Sequence, residues 1–180
     1  MAGWPALAEP ARDIYKSLLK VRGQVAGLTA MFVERTFENG KHEVWMPGGH
    51  ITLGARGDSY YEYLIKEYLA GGQQDQAFLD AYTAAMTGVR EWLVGETAPA
   101  PQGGLLYIGE IESKAIEPDA RLSKLTHLLD SQQKSSMFSS KMDHLVCFLP
   151  GALALGHLHG IETGAPSITV PRVVARDVLP

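Results

Sequence analysis

Between Asp75 and Val94, the residues Phe78, Tyr82, Met86, Val89 and Leu93 recur three or four positions apart. That spacing places them on one stripe of an α-helix, and such a stripe must be buried against another element. A chain that carries it has to fold around packed helices. The same period runs through "EPARDIYKSLLKVRG", where Ala11, Ile14, Leu18 and Val21 line up and Gly23 supplies a stop. A further helix is predicted from Asp58-Ser59 to Gly71-Gly72. Another lies within "DHLVCFLPGALALGHLHG", where Pro150 must kink it or split it in two.

Extended chain separates these helices. "MFVERTFENGKHEVWM" has apolar runs on both sides of Asn39-Gly40, the strongest short hairpin signal. "GGLLYIGEI", from Gly103 to Ile111, reads as a short buried strand between Gly and Pro punctuation. The fold class is therefore mostly α with small β hairpins. With 180 residues, 46% of them hydrophobic, the chain can bury a sizeable core, which argues against a disordered or fibrous protein. The stretch from Glu112 to Ser140 is polar and reads as a loop insertion with a helical turn around Leu125–Leu129. The tail "ETGAPSITVPRVVARDVLP" shows no period, and little order is expected there. No internal repeat indicates a solenoid.

Charge and composition narrow the partners. A net charge of −4, with no basic stripe, argues against nucleic acid or an anionic membrane surface. The most apolar run, "LVCFLPGALALG", is short against the ~20 residues a spanning helix needs, and Pro150-Gly151 interrupts it. No transmembrane segment is expected, and "MAGWPALAEPARD" lacks the basic start and apolar centre of a signal peptide. The single cysteine, Cys147, rules out an internal disulfide and a thiolate metal cluster, and its expected place is the core, as a small hydrophobe.

Two polar constellations stand out. In "ITLGARGDSYYEYLIK", Ser59 and Glu62 fit the S-x-x-E capping box, so Ser59 is the expected cap of the helix. Asp58 is then left just outside, where the helix dipole favours its negative charge, and Arg56 is within reach to pair with it or with a sugar hydroxyl. Taken from the residues alone, Asp58 is either a spare surface charge or a carboxylate held at a site. In "KMDHLVCFLPG", Asp143 is placed to cap the next helix, with His144 in its first turn. The competing interpretation is an ordinary capped helix. "HLHG" offers His157 and His159, but no third ligand follows at a zinc-binding spacing. GxGxxG, P-loop, GxSxG and HExxH patterns do not occur.

Taken together, "ITLGARGDSYYEYLIK" and "SSKMDHLVCFLPGALALG" resemble the signature segments of the class I α-1,2-mannosidases, glycoside hydrolase family 47, with "LLYIGEI" between them in the family's order. The resemblance covers residues 27–160 apart from an insertion at 112–136. Residues 1–26 form an N-terminal helix and lead-in, and 161–180 an unmatched tail. It implies a partial (α/α)7 barrel, with the remainder of the barrel as a missing partner. It also implies Ca²⁺-dependent, inverting removal of α-1,2-linked mannose from high-mannose N-glycans in the endoplasmic reticulum or secretory pathway. In an inverting scheme one carboxylic acid protonates the leaving oxygen and a second carboxylate activates water, the two standing about 6.5–9.5 Å apart. Calcium takes oxygen ligands, sugar hydroxyls included.

Position by position, the resemblance makes Asp58 an acidic residue of the catalytic centre, either as acid through a water or as support, with Ser59 as the cap. Arg56 matches an arginine that contacts the glycan in endoplasmic-reticulum-type members, and Tyr60-Tyr61 favours the same type. Asp143 and His144 match a pair lining the sugar pocket, and Cys147 matches half of a family disulfide. The family's general-acid glutamate, base glutamate, calcium-binding threonine and second cysteine find no match in this sequence. The resemblance therefore implies a hydrolase whose central part, on its own, is inactive. The alternative is a non-catalytic glycan-binding or quality-control module that reuses Arg56, Asp58 and His144.

Overall fold

The computed structural model describes residues 5–21, 27–38, 41–46, 49–97, 104–113 and 137–161. Within them lie α1 (Pro5–Leu18), the strands β1 (Glu34–Glu38), β2 (Lys41–Trp45) and β3 (Gly49–Ile51), and the helices α2 (Asp58–Ala70) and α3 (Gln76–Gly88). They are followed by β4 (Val94–Glu96), β5 (Leu106–Ile108), β6 (Glu110–Ser113), β7 (Phe138–Ser139) and α4 (Leu149–Leu158). Helices and small sheets alternate, and the described residues do not close into a barrel.

The third helical pattern is where the sequence placed it. Asp75 caps α3, its carboxylate accepting the Ala77 N–H, and Phe78, Tyr82 and Met86 are buried. Val89 and Leu93 continue the buried stripe into a π-helical turn, Val89–Leu93, that delivers the chain to β4. Helix α2 buries Tyr61, Leu64, Ile65 and Tyr68, a spacing of i, i+3, i+4 and i+7 that turns one face to α3. Residues 71–75 join α2 to α3, and α2 also packs on α4.

Among the described residues, three sheets sit around these helices. β1 and β2 pair antiparallel from Glu34↔Trp45 to Glu38↔Lys41, the hairpin expected around Asn39-Gly40, whose turn lies outside the described residues. "GGLLYIGEI" is not one buried strand. It divides at Gly109, where the Gly109 N–H donates to the Leu93 carbonyl at 2.7 Å. β5 pairs with β4 at the surface, leaving Leu105 and Leu106 71% and 63% exposed. β6 turns inward between β3 and β7 and buries Ile111 completely. Alternation along a strand cannot continue through a residue where the chain changes sheets.

Three further expectations are corrected. On α1, Ile14 is exposed. Leu18 and Val21 of the predicted stripe do face the core, but Tyr15 and Leu19 join them there in place of Ile14, with the Tyr15 ring 5.6 Å from that of Phe78. The larger aromatic takes the inward position. At Pro150 the segment is split in two, one of the two outcomes expected there, with a 3-10 turn over His144–Phe148 followed by α4, where Pro150 stands in the first turn and needs no N–H partner. The 3-10 turn points Val146 inward, so Cys147 is exposed and not the buried small hydrophobe its residue type suggested. The polar stretch from Glu112 to Ser140 is not loop throughout, since its ends belong to β6 and β7; its residues 114–136, Gly23 and the tail at 162–180 lie outside the described residues.

Candidate functional site

The loop from Thr52 to Gly57 is tied at three points. The Gly54 N–H donates to Thr52 Oγ1 at 2.8 Å, and the Gly54 carbonyl accepts from the N–H groups of Gly57 and Asp58 at 3.0 and 2.9 Å. These bonds start α2 without a side-chain cap. Gly57 is the cap residue, in helical conformation, and Asp58 is the first residue of the helix. The Ser59–Glu62 capping box does not form, because the helix begins before Ser59. Glu62 instead pairs with Lys66 one turn on. A Cβ on Gly57 would stand 2.2 Å from the Thr52 carbonyl, so the tight turn admits no side chain there. Arg56, between these glycines, has φ +73°, a left-handed conformation that costs a non-glycine residue free energy and clusters at functional sites. Its guanidinium lies 5.3 Å from the centre of the exposed Phe32 ring.

The second signature segment meets this loop at Gly54. The nearest atoms to a Cβ built on Gly54 are those of the Asp143 side chain, its Cβ at 2.4 Å and Cγ at 2.6 Å. Asp143 caps the 3-10 turn by accepting the Leu145 N–H at 2.9 Å. That bond comes first among the influences that hold its carboxyl below the ordinary range, burial opposes it, and His144, the Ala55 N–H and Lys141 add to it. The Leu145 N–H is thus the donor that holds the carboxylate, while Ala55, from a segment far away in sequence, lies close enough to favour its charge. His144 reaches outward, 88% exposed, with Nδ1 3.4 Å from Asp143 Oδ1.

Beneath the loop lies Glu110, 2% exposed. It accepts from Thr52 Oγ1 at 2.9 Å and from Lys141 Nζ at 3.2 and 3.3 Å, and it meets His50 Nε2 at 2.8 Å. The other imidazole nitrogen meets Glu112 at 2.7 Å. Burial raises the Glu110 pKa, but hydrogen bonds from Thr52, Lys141 and His50 outweigh it and hold the value below the ordinary 4.5. For His50, burial disfavours the imidazolium, while Glu112 and then Glu110 hold the pKa above the ordinary 6.5.

The sign of the pH effect follows from these two directions. The Glu110 contribution to stability is complete above its unfolded value and fades as pH falls through its lowered one. The His50 contribution is complete below its unfolded value and fades as pH rises through its raised one. Their joint stabilisation is greatest between 4.5 and 6.5. Urea unfolding across pH, comparing the chain with His50→Gln, is expected to show the largest difference in that window and a shrinking one in alkali. A difference that grows in alkali would contradict it.

The structure sets the loop that carries Arg56 and Asp58 against Asp143 at Gly54, and leaves His144 and Cys147 at the surface of the segment that carries Asp143. His157 and His159 are exposed at the end of α4, with His159 hydrogen-bonded to Gln73. Thr52, Glu110 and Lys141 were not singled out by sequence. A glutamate inside an otherwise apolar strand was the available signal. An open groove of about 550 Å³ lies elsewhere, lined by Lys16, Lys20, Tyr60, Asp75 and Asp80 among others, and does not include Arg56, Asp58 or Asp143.

A carboxylate-bearing loop at a helix start, joined to a second carboxylate held by a backbone donor, suits recognition of a polyhydroxylated ligand. Comparison with known proteins places the chain in a family. Glycosyl hydrolase family 47 matches residues 2–171, and the chain belongs to this family. It is 34% identical over 161 residues to an endoplasmic reticulum mannosyl-oligosaccharide 1,2-alpha-mannosidase of Rattus norvegicus, covering 89% of this chain and 20% of that protein. The Homo sapiens protein of the same description is 35% identical over 161 residues, covering 89% and 19%. A mannosyl-oligosaccharide 1,2-alpha-mannosidase of Candida albicans is 35% identical over 159 residues, covering 88% and 22%. The chain thus spans 19% to 22% of the length of these relatives.

Proposed function

We propose that this chain forms part of the sugar pocket of an α-1,2-mannosidase acting on high-mannose N-glycans in the endoplasmic reticulum or secretory pathway. The observation that carries the reading is the contact of Gly54 with Asp143, which makes one wall of the two signature segments. Arg56, held with φ +73° on that wall, presents a rigid fork of N–H donors to sugar hydroxyls. Asp58 and Asp143 supply acceptors, and His144 is exposed beside them. α2 and α3 form an αα-hairpin, the repeating unit of an (α/α)7 barrel, which supports placing the chain within one. No helix among the described residues is long and apolar enough to cross a membrane.

Calcium belongs to the family's chemistry and takes 6–8 oxygen ligands where it binds. Among the described residues no group of three His, Cys, Asp or Glu side chains is arranged to hold a metal ion, so they do not fit such a cage and no step is derived through the ion. The residues assigned here bind and orient sugar, and general acid and base are assigned to none of them. The polypeptide alone is therefore expected to release no free mannose.

The test is a calorimetric titration of the chain with a high-mannose glycan, repeated with Arg56→Leu. Binding that falls at least about tenfold in the variant is expected, as for loss of hydrogen bonds to a charged group. Equal binding by both proteins, or none at millimolar glycan, would overturn the reading.

A further inference from the structure

We propose that Glu110 is a positioning residue that sets the Arg56–Asp58 loop against Asp143. The inference rests on the proposed glycan pocket only for its functional consequence. Its carboxylate is almost fully buried, and it takes donors from both sides of that pocket.

On one side the Thr52 hydroxyl hydrogen is committed to Glu110, which leaves the Thr52 oxygen free to accept the Gly54 N–H. Gly54 in turn accepts the two N–H groups that start α2 at Asp58. A chain of three hydrogen bonds thus runs from Glu110 to the backbone of the helix that carries Asp58. On the other side Lys141, two residues before Asp143, reaches back to both Glu110 oxygens. The strand register reinforces this, with Glu110 opposite Ser139. His50, from the neighbouring strand, holds the carboxylate from below and is itself held by Glu112. One anion therefore fixes two loops, whereas a carboxylate serving only the core would bond within its own sheet.

The experiment is amide hydrogen exchange by NMR on the full chain and on Glu110→Gln, which keeps the shape and removes the charge. Protection of Gly54 and Leu145, taken relative to Met86 in the core of α3, is expected to fall about tenfold, the effect of weakening charge-assisted hydrogen bonds in a local opening. A fall in step with Met86 would mean a general stabilising role and would overturn the proposal, as would no change. Should Glu110→Gln not fold, Lys141→Met carries the test from an exposed position. Leu145 protection relative to Met86 is then expected to fall about tenfold, and an unchanged ratio overturns the proposal. No sugar enters this measurement. A uniform exchange result leaves the glycan titration standing, and a silent titration leaves the exchange result standing.

Discussion

Gly54→Ala is expected to cost about 1–3 kcal/mol of stability and to abolish glycan binding, because overpacking at a tight contact displaces its neighbours. The added methyl would lie 2.4 Å from Asp143 Cβ and 2.9 Å from its Oδ2, closer than packed carbons approach. Asp143 cannot swing aside cheaply, since its carboxylate accepts the Leu145 N–H at 2.9 Å and caps the 3-10 turn. The displaced segment therefore takes that cap with it. Gly151 is the control, with open space where a Cβ would go and a helical position that favours alanine. Chemical denaturation of Gly54→Ala, Gly151→Ala and the parent checks this. A Gly54→Ala protein as stable as the parent would mean that the two segments do not touch.

The second large effect belongs to Tyr61. Its ring is fully buried in α2, and its hydroxyl both donates to the Thr29 carbonyl and accepts the Thr29 N–H, each at 3.0 Å. Burial pushes the phenol pKa up, against the opposing pull of the Thr29 bond, so the group stays a neutral donor. Truncation to alanine opens a cavity and is expected to cost about 3–5 kcal/mol. Tyr61→Phe keeps the ring but leaves two buried backbone groups unpaired, a loss of about 1–3 kcal/mol. Urea unfolding of both variants measures the two terms. A Phe variant as stable as the parent would show that water replaces the hydroxyl. On this footing Tyr61 is a pillar of the loop carrying Thr29 and makes no claim on the ligand.

Helix identity was legible wherever an apolar stripe ran uninterrupted, as in α2 and α3. α1 was legible as a helix too, but its inward face was only partly so, since Ile14 and Tyr15 competed for one inward position and residue type alone could not decide. Asp58 was legible as a candidate because glycines and a helix start surround it. The detail of its cap was not, since Gly54 and Gly57 start the helix through backbone bonds that no side-chain pattern reports. The contact between Gly54 and Asp143 joins residues far apart in the chain. Only the resemblance linked those motifs before the fold did. Glu110 escaped notice because a buried carboxylate is explained by its partners, and those come from β3, the loop after it and the segment after β7.

The most direct measurement is the high-mannose glycan titration followed residue by residue in amide NMR spectra of the chain. Shifts confined to the loop around Arg56 and Asp58 and to the turn at Asp143 and His144 are expected, moving together along one binding curve. Shifts confined to the groove beside Lys16 and Asp75, or no shifts at millimolar glycan, would contradict a sugar pocket built from the two segments.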